Sequence, residues 1–166
     1  MARITRTFLP NGCYHIIVRG NQKKEVYKEK EDYKKYLDIL RRAKKKYEIL
    51  LYAYCLMPTH PHLLIESRIG RAISSFMHWI NRGYTAYFNA KYEKVGHLWQ
   101  GRFISKPILK GRYLINCANY IEENPVRAKL VGDIADYEWS SYRERCLMTE
   151  KSILDEIKIE VIDSAY

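Results

Sequence analysis

From Glu31 to Tyr47, Tyr33, Tyr36, Leu37, Leu40, Ala43 and Tyr47 return every three or four residues, with Lys and Arg between them. That spacing draws one apolar stripe along an α-helix. Glu31 and Asp32 at its start and Lys44, Lys45 and Lys46 at its end suit the helix dipole, and the lysine run reads as a solvated helix face. Ile73, Phe76, Met77, Ile80, Tyr84, Tyr87 and Phe88 predict a second helix over about 70–90. A third is predicted over about 112–123, ending before Pro125, because the residue preceding a proline avoids the helical region. Strand patterns are shorter. Cys13 to Arg19 is β-branched and aromatic, and Gly20-Asn21 closes it as a turn. Ile49 to Leu56 and His62 to Glu66 read as strands turning around Met57-Pro58-Thr59, and Phe103 to Leu109 as a fourth, interrupted near Pro107. The order β-α-β-β-α-β-α predicts an α+β protein: a ferredoxin-like sandwich, an antiparallel sheet with helices packed on one face. After Cys146 the pattern fits a helix (Ile153, Ile157, Val161) as well as a strand (Ile157, Ile159, Val161).

At 166 residues the chain has the length of one ordinary domain, with an expected body over 1–146 and an acidic extension over 147–166. Lys and Arg number 29 against 19 Asp and Glu, a net charge of +10. The extension holds Glu150, Asp155, Glu156, Glu160 and Asp163 against Lys151 and Lys158, so its −3 leaves +13 on the body. A body so basic predicts a polyanionic partner, nucleic acid before membrane. No apolar run approaches the roughly 20 residues that span a bilayer. Met-Ala-Arg-Ile-Thr-Arg-Thr at the start lacks the apolar stretch of a secretory signal. Cys13, Cys55, Cys117 and Cys146 lie far apart without C-x-x-C spacing, which points to free thiols in a reducing compartment. A cytoplasmic location is expected.

The chemistry concentrates in Met57-Pro58-Thr59-His60-Pro61-His62-Leu63-Leu64-Ile65-Glu66. On an extended strand His60 and His62 project from the same side, and two imidazoles so placed can hold one metal ion. On the third helix Asn116, Tyr120 and Asn124 stand four residues apart and share a polar face, opposite an apolar face of Ile115, Ala118 and Ile121. The Asn124 carbonyl oxygen is a candidate third ligand beside the two histidines.

Five blocks, spanning roughly residues 10–145 in order, carry a resemblance. They are Tyr14-His15-x-x-x-Arg19-Gly20-Asn21, then Tyr54-x-x-Met57-Pro58-x-His60-x-His62-Leu63-Leu64-Ile65, then Gly96-His97-Leu98-Trp99-Gln100-Gly101-Arg102-Phe103. Tyr120-Ile121-Glu122-x-Asn124-Pro125-Val126-Arg127-Ala128 and Trp139-Ser140-Ser141-Tyr142 complete the set. With these blocks the chain resembles the HUH single-tyrosine transposases, and among them the REP-associated tyrosine transposases. The resemblance implies that residues 1–146 form the catalytic domain, that His60 and His62 are metal ligands, that Tyr120 is the nucleophile and that Asn124 takes the third ligand's place. It implies a Mg²⁺- or Mn²⁺-dependent enzyme that nicks and rejoins single-stranded DNA near hairpins through a 5′-phosphotyrosine, with a homodimer as one way of supplying two cleavages.

Arg19, Arg102, Lys106 and Arg127 are the candidate DNA contacts, with Trp99 as a base-stacking candidate although core packing is its commoner role. His15 and His97 are candidate neighbours of the site, with satisfied structural histidines the commoner case. The chain departs from the family pattern at Pro61, where relatives carry a plain hydrophobe, and at Thr59, where Asn is common. Those departures motivate an alternative, a hairpin DNA or RNA binder on the same fold with weakened catalysis. A hydrolytic metallonuclease is a third reading, with Glu66 as the one acid in the histidine block.

Overall fold

The computed structural model describes residues 7–147 and 152–158. Four strands form one sheet: β1 (Gly12–Ile17), β2 (Ile49–Met57), β3 (His60–Ser67) and β4 (Ile104–Ile108). Their order is β2-β3-β1-β4, with every neighbouring pair antiparallel. Helix α1 (Lys30–Tyr47) joins β1 to β2, α2 (Ala72–Tyr92) joins β3 to β4, and α3 (Arg112–Glu122) follows β4. Two short turns of helix come later, α4 (Asn124–Arg127) and α5 (Tyr142–Leu147). The predicted α+β ferredoxin-like arrangement is therefore present.

The ends of α1 show why it forms where it does. Asp32 accepts from the backbone N–H groups of Lys28 and Glu29 at 2.8 and 3.1 Å, satisfying donors ahead of the first turn. At the other end Glu48 adopts a left-handed conformation (φ 51°) and stops the helix. Tyr36, Ile39, Leu40 and Ala43 of α1 meet Ile73, Phe76, Met77, Ile80 and Tyr84 of α2 above Tyr14, Ile16, Ile49, Leu51, Leu56, Leu63 and Ile65.

The expected placement of all helices on one face holds for α1 and α2 only. Helix α3 packs on the opposite face, where Leu114, Ala118 and Ile121 cover Cys13, Ala53, Cys55 and Leu64. The cause lies in β2 and β3, whose residues are almost all buried, so both faces of the sheet need a cover. A β-bulge at Leu51/Ala53 adjusts β2: Tyr52 and Ala53 are consecutive, yet both join the α3 side.

Residues 152–158 form neither helix nor strand, and Ile159 and Val161, on which the helix and strand patterns of the tail also rest, lie outside the described residues. This segment straps the free edge of β2. Asp155 N–H donates to Leu51 O and its carboxylate accepts from Leu51 N–H, both at 2.8 Å. Lys44 Nζ binds that carboxylate at 2.6 Å and the Ile153 carbonyl at 2.7 Å, so the first lysine of the run is committed to the strap. Among the described residues no helix is long and apolar enough to cross a membrane.

Candidate active site

The histidines lie on the face covered by α3. Alternation along β3 sends His60, His62, Leu64 and Glu66 to that side, while Leu63 and Ile65 enter the α1/α2 core. In the β1–β3 ladder Ile17 faces His62 and His15 faces Leu64, so His15 and His62 are diagonal neighbours on one surface. Both are 5% exposed, and His15 Nε2 lies 2.9 Å from His62 Nδ1. The His60 ring stands 4.8 Å from that of His62, and its Nδ1 is hydrogen-bonded to Thr59 Oγ1 at 2.8 Å. In both histidines the Nδ1 is engaged. The Nε2 of His62 is buried with no partner.

Electrostatics keep these imidazoles neutral. Burial, reinforced by His60, His15, Arg19 and Lys106, pushes His62 down to about 3. Burial and Lys106 push His15 down to about 4, and burial with Arg19 lowers His60. Neutral imidazole is the form that ligates a metal.

Helix α3 brings Tyr120 to this surface. Its ring is 43% exposed, not enclosed, and meets His15 edge-on with centroids 6.3 Å apart. The Arg127 guanidinium covers the same ring at 4.8 Å and pairs with Glu123 at 2.9 Å. Asn124 donates through Nδ2 to the carbonyls of Tyr120 (3.0 Å) and Ile121 (3.1 Å), which closes the end of α3 and leaves its carboxamide oxygen as the atom able to meet a cation.

The helix is anchored by a buried carboxylate. Glu122 accepts from Ser141 Oγ at 2.5 Å and from Arg145 Nη2 at 3.0 Å. Arg145 also donates to Tyr52 O, and Tyr54 N–H donates to Ser141 Oγ at 3.0 Å, tying α3, β2 and α5 together. Sequence reasoning missed this clamp. Its one local signal was an acid on the apolar side of α3.

Residues 9–124 match the family of IS200-like transposases. The chain belongs to that family. No curated protein sequence matches the chain. Among solved structures, a REP-associated tyrosine transposase bound to a REP hairpin superposes with a TM-score of 0.76 at 18% identity, over 97% of this chain and 96% of the other. A candidate transposase from Deinococcus radiodurans R1 gives a TM-score of 0.50 at 20% identity, over 74% of this chain and 97% of the other.

In this transposase the sequence blocks converge in space. Gly20 N–H donates to Thr59 O, Asn21 N–H to Leu98 O and Gln100 N–H to Arg19 O, each at 2.8 Å, so the first and third blocks are stitched beside the histidine hairpin. A Cβ on Gly20 would run into the Lys24 carbonyl and Val26, which is why glycine stands there. The fifth block closes the edge of β2 through Leu56 N–H to Trp139 O at 2.8 Å.

The candidate DNA contacts separate. Arg19 is exposed and acts electrostatically on His60 and His62; Lys106 is exposed and stands directly across β1–β4 from His15. Arg127 lies on Tyr120, and Arg102 is exposed on the loop before β4. Trp99 is corrected: it is a core side chain, packed on Tyr84 with its indole N–H donating to Asn81 O at 3.3 Å, and its ring is withdrawn from bases. His97 is exposed, whereas His15 is a direct neighbour of His62.

The two departures from the family pattern are accommodated. Pro61 faces Leu56, whose N–H and carbonyl both turn outward, to Trp139 O and to the Tyr137 hydroxyl. The ring nitrogen of Pro61 is therefore on the β1 side, one residue past the last β1–β3 pair, Ile17 with His62, where the ladder needs no donor. Thr59 supports His60 directly. Glu66 is spoken for, accepting from Tyr52 (2.6 Å), Cys13 (3.4 Å) and Lys110 (2.8 Å).

Among the described residues no group of three His, Cys, Asp or Glu side chains is arranged to hold a metal ion. A cation here would rest on two imidazoles, the Asn124 amide and an oxygen of the DNA. In kind the donors fit such a cation: an orphaned buried Nε2, a second imidazole beside it and an amide oxygen at the end of α3. Arg19 and Lys106 make the surroundings positive, which suits a site completed by phosphate.

Proposed function

We propose that this transposase nicks and rejoins single-stranded DNA beside hairpins through Tyr120. The single observation that carries the reading is the Tyr120 ring standing against His15, which is itself hydrogen-bonded to His62. A phenol and a metal-competent imidazole pair thus come from one chain, so each subunit of a homodimer would carry its own complete set.

The Tyr120 hydroxyl gives up its proton as its oxygen attacks the scissile phosphorus, and the bond to the 3′ oxygen breaks. The products are a 5′-phosphotyrosine and a 3′-hydroxyl. An incoming 3′-hydroxyl reverses the step, and no ATP is needed because the phosphodiester bond energy is kept in the protein link. His60, His62 and the Asn124 oxygen would hold Mg²⁺ or Mn²⁺, which supplies charge neutralisation at the phosphate when bound. Arg19 and Lys106 bind flanking phosphates, and Arg127 holds the Tyr120 ring. The fold shared with the hairpin-bound relative supports a hairpin as the recognised element. The accommodation of Pro61 in the ladder and the contact of Thr59 with His60 favour this reading over the weakened binder.

The test is a set of single-stranded oligonucleotides carrying hairpins taken from the DNA on either side of the gene, incubated with Mg²⁺ or Mn²⁺ and resolved on a denaturing gel. A covalent protein–DNA band is expected from the wild type and none from Tyr120→Phe. His60→Ala is expected to bind the hairpin without cleaving it. An equal band from Tyr120→Phe, or cleavage releasing a free 5′-phosphate, rejects the proposal.

A further inference from the structure

His15 Nε2 and His62 Nδ1 are 2.9 Å apart, with both rings buried. One hydrogen bond between two ring nitrogens holds one proton, so one nitrogen donates and the other is bare. If His15 donates, a neutral His62 carries its remaining hydrogen on Nε2, the buried atom that has no partner. That N–H would stand unsatisfied and could not bind a cation. If His62 donates, its Nε2 is a bare lone pair on a ring that stands 4.8 Å from the His60 ring between centroids.

We propose that His15 is a positioning residue: by accepting the Nδ1–H of His62 it sets that ring's tautomer and aims the Nε2 lone pair at the metal. The inference rests on the metal-pair reading of His60 and His62 given above. A ligating histidine whose second nitrogen is held by a partner is a general device of metal sites. Here the partner is delivered by the neighbouring strand, through the diagonal pairing of β1 and β3. Thr59 Oγ1 is hydrogen-bonded to Nδ1 of His60 at 2.8 Å, so both rings are held through Nδ1. His15 also meets the Tyr120 ring edge-on, so it stands beside both a proposed ligand and the proposed nucleophile.

Calorimetric titration of the full chain with Mn²⁺ alone tests the idea. His15→Leu is expected to weaken Mn²⁺ binding by about 10–100-fold, the usual effect of losing such a partner. His15→Gln, whose side-chain oxygen can accept the same hydrogen, is expected to recover most of the loss. Nitrogen-detected NMR of the wild type saturated with Mg²⁺ provides a readout that no variant's folding can confound: the His62 proton is expected on Nδ1. A proton found on Nε2, or wild-type Mn²⁺ affinity in folded His15→Leu, overturns the proposal. His62→Ala separates the two levels. If it leaves Mn²⁺ affinity intact, the metal-pair reading itself fails; if it abolishes binding while His15→Leu keeps it, only the role of His15 falls.

Discussion

The Arg127 guanidinium lies 4.8 Å from the centre of the Tyr120 ring, seven residues beyond it in α4, while its Nη2 is paired to Glu123. The cation thus caps a side chain that is otherwise 43% exposed and restricts how the phenol swings. An exposed contact of this kind is worth about 0.5–1 kcal/mol. Arg127→Ala should therefore slow single-turnover cleavage by roughly 2–5-fold at saturating DNA, with unfolding unchanged. An unaltered rate would show that Arg127 does not steer the nucleophile.

Glu122 is 2% exposed and holds Ser141 and Arg145, so its removal strands a half-buried arginine and a buried hydroxyl. Breaking such a pair on one side costs about 3 kcal/mol, reduced here because Arg145 is partly solvated. Glu122→Ala should lower stability by about 2–3 kcal/mol in urea unfolding and depress cleavage more than hairpin binding, because α3 carries Tyr120. Equal losses in both activities would argue that the clamp supports the whole domain and not the nucleophile in particular.

Asn124 has a structural duty as well as a proposed chemical one. Asn124→Ala removes two hydrogen bonds to the last carbonyls of α3, at a cost of about 1 kcal/mol. It should also weaken Mn²⁺ binding. Asn124→Asp discriminates between the duties: it cannot donate to the carbonyls, so stability falls, while its charge should strengthen Mn²⁺ binding. A weaker Mn²⁺ site in Asn124→Asp would remove this residue from the ligand set.

The site's pH behaviour follows from depressed imidazoles. Burial holds His15 at about 4 and His62 at about 3, below the roughly 6.5 of an unfolded chain. The unfolded state therefore takes up protons first, and stability is full above about pH 6.5 and declines as pH falls toward about 4. The folded His62 stays neutral across that window, and His15 stays neutral down to near its lower end. The urea midpoint should drop as pH falls from about 6.5 toward 4. A midpoint that stays level over that range would contradict the burial argument.

Asp32 joins α1 to α2, accepting from Lys91 (2.8 Å), Tyr87 (2.9 Å) and Tyr92 (2.6 Å). Burial raises its pKa, but these bonds and that from Lys28 N–H outweigh burial and hold it at about 2. Its stabilisation is complete above about pH 4 and is lost as pH falls through about 2. Asp32→Ala should cost about 2–4 kcal/mol without changing hairpin affinity, measured by unfolding and by gel shift.

Much of the architecture could be read along the chain, because helix stripes and strand alternation are properties of near neighbours. The patterns over 31–47, about 70–90 and about 112–123 correspond to α1, α2 and α3, and the shared side of His60 and His62 follows from strand geometry alone. The opposition of Tyr120 to Ile121 and Ala118 on α3 was equally visible.

What tertiary structure decided were the relations between distant segments. The unbroken apolar run of β2 marked a buried strand, but only packing shows that α1 and α2 take one face and α3 the other. His15 looked ordinary because its importance depends on register: Ile17, not His15, faces His62, and the diagonal brings the two rings together. Trp99 belongs to the core because its loop is stitched to Arg19 and Asn21, which no local pattern encodes. The chain by itself determined its elements and the chemical character of their faces; which face meets which was set by long-range burial, since only the assembled sheet has two sides to cover.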